Sequence, residues 1–262
     1  MLTIVRRELK NQLGSWLVWT GSISVLLAVC IFVYPQMQEE ARGLGDAFSS
    51  MGAFTKAFGM DSLDFGSWPG FYALECGNVL GIGGAFYAAL CGSQILSRET
   101  KGHTAEFLFS QPVTRTQVYL GKLLAVILEI VALNLVAAAV SLLCQQMIQE
   151  TMPARAFWLL HTALTLVMLE TAVICLGLSV FLPAGATGAG LGLVCLFYIL
   201  NVISNIVDAT RFLKWVTPFA YSDGAAIISD LRLDLPCLMA GMLLALTVLV
   251  CGWHRLETED IR

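Results

Sequence analysis

Charge is what this chain of 262 residues has least of: Asp, Glu, Lys and Arg together make up 13% of it, against roughly 25% in a soluble domain. With a hydrophobic fraction of 57% and a mean hydropathy of +0.76, that shortage excludes an ordinary soluble fold. Basic residues never run longer than a pair and the net charge is -4, so the electrostatic footprint of a nucleic-acid binder is missing. Only three histidines occur, His103, His161 and His254, too dispersed for a metal site, and neither H-E-x-x-H nor G-x-S-x-G is present. The glycine-rich AGATGAGLG at residues 184–192 has no Gly-Lys-Ser/Thr and leads straight into apolar sequence, which reads as helix packing rather than a phosphate cradle. GLGD at residues 43–46 sits on a polar stretch outside the apolar runs, so an intramembrane aspartyl protease is not indicated. The eight cysteines stand singly, without a C-x-x-C pair, as small apolar residues. No catalytic group or cofactor site is expected in this chain.

What the sequence does have is long apolar runs. At about 20 residues per crossing of a hydrocarbon core, six spans are expected at residues 16–34, 76–96, 123–143, 157–182, 186–207 and 237–253. The first follows Arg6, Arg7 and Lys10 like a signal peptide, but its 19 residues exceed a signal core of roughly 7 to 15 and no A-x-A site follows. It is read as a retained span. An even number of spans puts both termini on one side. If that side is cytoplasmic, the inner segments hold Arg6, Arg7, Lys10, Arg98, Lys101, Arg115, Lys122, Arg255 and Arg262, nine of the fifteen basic residues. The fold class expected is therefore all-α: one polytopic domain over residues 1–262, both termini inside, an inner loop at about 97–118 and an outer segment at about 35–71.

Within the spans, Gly77, Gly81, Ala85, Ala89 and Ser93 recur every four residues, a ridge of small side chains on which another helix can pack. Glu129 and Glu170 lie inside spans three and four, where a carboxylate at a helix centre costs about 2 to 3 kcal/mol or more. Either they line a path for cargo, with Gln94 as a further candidate, or they bond to neighbouring helices through groups such as Asn134, His161 or Asn201. In the outer segments, Leu44, Ala47, Phe48, Met51, Phe54 and Phe58 share one helical face, and residues 211–229 mix aromatics with turn residues around Pro218. Both suit helices lying in the outer interface.

The inner loop breaks the apolar pattern for some twenty polar and charged residues. Gly102 and Pro112 bracket a short helix on which Ala105, Leu108 and Phe109 group together, opposite His103, Glu106 and Ser110. Phe107 falls beside the polar group. An aromatic on the wet side of a short helix fills a pocket on a partner, with Glu106 at the rim, unless the segment is an ordinary amphipathic connection.

The string TAEFLFSQPVTR at residues 104–115, followed by Gly121 and Lys122 and an apolar span, resembles the first cytoplasmic loop of ABC-2 type transporter permeases. There a T-x-E-x-L-x-S-x-P-V-[ST]-R pattern leads into G-K. RRELK at residues 6–10 is similar to the start of that family's amphipathic elbow helix. Residues 56–72 and 214–223 resemble its segments before spans two and six, in a branch that includes exporters of phenol-soluble modulins and antimicrobial peptides. The closing EDIR is like its short tail. The resemblance implies a permease half in the cytoplasmic membrane of a prokaryote, pairing with a second copy or a related chain. It also implies a grip on a separate ATP-binding subunit, which carries the ATP and Mg, through His103, Thr104, Glu106, Phe107, Ser110, Pro112 and Arg115. Amphipathic or hydrophobic peptides are the expected cargo. A proton-driven secondary transporter using Glu129 and Glu170, and a non-transporting anchor or immunity partner of an ATPase, remain as alternatives.

Overall fold

The computed structural model describes the backbone of residues 1–49, 67–101, 114–182 and 186–258, and the side chains of these except 39–49, 96–101 and 208. Every regular element among the described residues is helical. In chain order they are α1 (Leu2–Ser49), α2 (Trp68–Cys76), a π-helical stretch (Gly77–Ile82), α3 (Gly83–Lys101), α4 (Arg115–Met147), α5 (Ala154–Ser179) and α6 (Ala186–Ile206). Two 3-10 turns (Asp208–Trp215 and Ala220–Ser222), α7 (Gly224–Asp230) and α8 (Leu235–Thr258) complete the chain. Six stretches are long and apolar enough to cross a membrane: Leu2–Gln38, Trp68–Ile95, Arg115–Met147, Ala154–Ser179, Ala186–Ile206 and Leu235–Thr258. The protein is a multi-pass membrane protein. Six crossings put the start of α1, the end of α3, the start of α4 and the end of α8 at one end, hereafter the loop end, and the end of α6 and the start of α8 at the opposite, far end.

Local chemistry sets the helix starts. Ser67 caps α2, accepting from Gly70 N at 3.3 Å, and Pro69 follows in the first turn, where its missing N–H costs nothing. Thr114 and Gln117 form a reciprocal capping box (3.2 and 3.3 Å), so α4 begins immediately after the loop.

α5 is the central helix. Of its most apolar window 67% is buried, against 22% for α6 and for α8; α3 and α8 pack on α5, α6 on α3, and α1 along α4. The side chains on the open faces of α1, α6 and α8, such as Val18, Ile199 and Met239, are apolar and meet lipid. Close approach uses small residues. A Cβ on Gly92 would run into the Ala172 carbonyl of α5, and one on Gly252 of α8 would stand 2.9 Å from Gly177 Cα.

The elements differ from expectation in three places. RRELK is not an elbow of its own but part of the first turns of α1, which runs unbroken through Gly14 into the apolar run because no proline separates them. That helix continues past Pro35 to Ser49, so the expected outer helix begins as its extension, and the rest of it lies outside the described residues. Third, the four-residue ridge is interrupted. The π-helical stretch adds a residue to the turn, and Gly77 has open space beside it, whereas Gly81 faces Leu164 and Ala85, Ala89 and Ser93 are fully buried.

Candidate functional site

The loop that carries His103, Thr104, Glu106, Phe107, Ser110 and Pro112 lies outside the described residues. Both of its ends are described, and each is tied into the bundle. At the outgoing end, Lys122 Nζ donates to Glu8 Oε1 at 3.2 Å and also to the Ile95 carbonyl near the end of α3. Lys122 is 1% exposed and Glu8 7%. One ammonium thus pins α1, α3 and α4 together at the point where the chain departs into the loop. A buried ion pair survives its desolvation only when geometry and remaining hydrogen bonds are good, and removing one partner strands the other. The arrangement therefore resists partial opening.

At the returning end, Arg115 Nη1 donates to the Leu256 carbonyl at 2.9 Å, Thr116 Oγ1 donates to Glu257, and Trp253 Nε1 donates to Thr116 Oγ1 at 3.2 Å. One turn on, Tyr119 OH donates to the Leu249 carbonyl at 3.2 Å. Arg255 lies 4.7 Å above the Phe181 ring, which joins the end of α8 to the turn after α5. Arg115 helps satisfy the open carbonyls of a helix C-terminus, where cations are favoured. The described flanks of the loop are thus joined to α1, α3 and α4 through Lys122 and to α8 through Arg115 and Thr116.

The intramembrane carboxylates are buried inside this chain, Glu129 at 4% and Glu170 at 5% exposure. Glu129 Oε2 accepts from Tyr87 OH at 3.0 Å and lies 3.6 Å from Cys91 Sγ, both on α3; Trp16 of α1 donates to the Glu129 backbone carbonyl at 3.0 Å. Glu170 Oε2 accepts from Tyr221 OH at 2.8 Å, and a Cβ on Gly241 of α8 would fall on its carboxylate. Burial first, then the adjacent Glu170 charge, raises the Tyr221 phenol above the usual tyrosine range, so it remains the donor. The anticipated partners serve elsewhere. His161 shares one hydrogen bond with Asn134 Oδ1 and another with Tyr72 OH, each at 2.9 Å, which links α5 to α4 and α2. Asn201 lines a separate far-end cleft. Gln94 is half-buried on α3, next to Ile95.

Sequence reasoning singled out Arg115, Glu129 and Glu170, named Lys122 only within the G-K that follows the loop, and missed Glu8, Tyr87, Tyr221 and Gly241. A signal existed for Glu8, the only acid among the basic residues of the first turns and a natural partner for a lysine embedded in an apolar helix. The tyrosines gave none, because their pairing depends on which helices are neighbours. Residues 2–220 match the family model described as ABC-2 family transporter protein. Comparison with curated proteins gives no match.

Proposed function

Because the chain belongs to the ABC-2 family of transporter proteins, we propose that it is the membrane-spanning permease subunit of an ATP-driven exporter in the cytoplasmic membrane of a prokaryote. Amphipathic or hydrophobic peptides are the cargo. The observation that carries this reading is the doubly tied loop. A connection anchored through Lys122 to three helices and through Arg115 and Thr116 to a fourth is suited to receive force and spread it. The sequence offers no nucleotide site, so the work comes from a separate ATP-binding subunit gripped by His103, Thr104, Glu106, Phe107, Ser110, Pro112 and Arg115. ATP and Mg are held on that subunit. Two permease halves, identical or related, flank the path, and closure of the ATPase pair shifts them between inward and outward access. Such a shift requires that nucleotide favour one state over the other. Glu129, Glu170 and Gln94 face that path in the outward state, when their present neighbours separate.

The test is co-expression with the ATP-binding subunit and reconstitution into proteoliposomes. The two proteins are expected to co-purify, and an amphipathic helical peptide to stimulate ATP hydrolysis several-fold. Phe107→Ala and Glu106→Ala should abolish that stimulation while leaving the permease folded. Peptide movement driven by a proton gradient without ATP would replace this reading with the secondary transporter, and an ATPase complex that moves nothing would leave the anchor.

A further inference from the structure

The far end holds a polar cleft that the transmission chain does not use. It lies between the π-helical stretch, the last turns of α6 and the connection that leads into α7, with a volume of about 80 Å³. Asn78, Asn201 and Asn205 line it together with Ser222 and Asp223. Three carboxamides and a carboxylate sit beside the polar end of a membrane span, with no basic side chain among the described residues of the lining.

The walls are fixed in place. Thr217 Oγ1 donates to the Phe197 carbonyl at 2.8 Å, which fastens the connection to α6. Tyr221 fastens the same connection to Glu170 of α5. Gly224 sits so close to Ala73 of α2 that a Cβ there would stand 2.9 Å from the alanine Cβ. Tyr198 and Phe219, packed edge to face with centroids 5.7 Å apart, close one side. Gly77 and Asn78 of the π-helical stretch line the cleft next to Ala73 and Leu74, and a deviation of this kind recurs at functional sites. A cleft held open by its neighbours binds without first paying for its own ordering.

We propose that this cleft binds the primary ammonium headgroup of a zwitterionic phospholipid. Carboxamide oxygens accept from an ammonium beside the Asp223 carboxylate, whose Oδ1 also accepts from Ala225 N at 3.0 Å as the cap of α7, and the carboxamide N–H groups donate to the adjoining phosphate. A lining with one carboxylate and no cation disfavours a lone anion. The apolar tail has a place as well. Val202 belongs to the lining, and Ile199 and Ile206 at helical spacing from it are 54% and 40% exposed, forming an apolar stripe of α6 that leads away from the cleft. The depth agrees, since Asn205 is the penultimate residue of a membrane-crossing helix, at headgroup level. The site does not depend on which cargo the protein moves.

The test extracts the full-length protein from bilayers of equimolar phosphatidylethanolamine, phosphatidylcholine and phosphatidylglycerol with matched acyl chains, and quantifies the lipids retained. Phosphatidylethanolamine is expected to be enriched about tenfold over phosphatidylcholine, whose trimethylated nitrogen has no N–H to donate. Asn201→Ala combined with Asn205→Ala should erase the enrichment. Asn78→Ala, on the opposite wall, provides a second variant should the first fail to fold, and folding of each is checked by size-exclusion chromatography. Free ethanolamine at millimolar concentration should compete weakly, because it lacks the tail. Equal retention of ethanolamine and choline lipids, preferential retention of phosphatidylglycerol, or enrichment unaltered in folded variants would each overturn the proposal. So would displacement of the lipid by a lysine-rich peptide but not by excess phosphatidylethanolamine.

Discussion

The two ends of the bundle are fastened by different chemistry. At the loop end, formal charges do the work: Lys122 with Glu8 in the dry interior, Arg115 on the end of α8, and Glu257 with Thr116 at the surface. The far half is held by single hydrogen bonds, from the Tyr221 phenol to the Glu170 carboxylate and along the Tyr72, His161 and Asn134 chain. Such a bond contributes a net of about 1 kcal/mol, or about 1.5 to 3 where the acceptor is charged, and can be exchanged for water or ligand. A buried ion pair has no such cheap exit, because parting it leaves two desolvated charges. The lesson is that the loop end rests on a buried pair of formal charges, whereas the far half rests on hydrogen bonds that can be broken one at a time.

The sharpest way to break this contrast is at Lys122. Lys122→Met strands Glu8 in an apolar setting, and a loss of about 3 to 5 kcal/mol is expected, read as a lowered midpoint of thermal unfolding in detergent. Adding Glu8→Leu should restore most of it. If the single substitution is harmless, the loop end is not held by charge. Next in size is Gly241→Ala, whose new methyl meets the Glu170 carboxylate; overpacking of this kind costs about 1 to 3 kcal/mol. The same unfolding assay should show a smaller fall, relieved by Glu170→Ala.

Tyr221→Phe tests the far half directly. It removes the hydrogen bond to Glu170 without changing volume, and a loss of about 1 to 2 kcal/mol is expected. If the hydrogen bonds of the far half break one at a time, hydrogen exchange in residues 208–230 should rise several-fold while that of α1 stays as it was. Equal rises at both ends would erase the distinction. The smallest effect is reserved for Thr116→Val, which removes the exposed contact with Glu257 and the acceptor of Trp253 Nε1, together worth about 1 kcal/mol. Unfolding should shift little, yet peptide stimulation of the ATPase should fall because two ties of the returning loop are gone.

The six spans were legible because each is an apolar run of helical length, and the membrane leaves a chain like this few alternatives. The loop motif pointed to Lys122. That its partner would be Glu8, 114 residues away, follows only from α1 lying along α4, which no local pattern records. The carboxylates were found by their cost, whereas Tyr87 and Tyr221 look in sequence like any aromatic near a membrane. GNVLGI at the π-helical stretch reads as ordinary helix, since its extra residue per turn leaves no compositional trace; the four-residue ridge therefore looked one glycine longer than it is.

Where α8 crosses α5, Gly252 rides on Gly177 with no side chain from either glycine between the two backbones. Interlocked side chains behave like gear teeth and must jump a notch to move. A crossing without teeth of its own takes its position from what stands beside it, here the Val248 side chain and the Tyr119 hydroxyl, so those two neighbours set how α8 seats on α5.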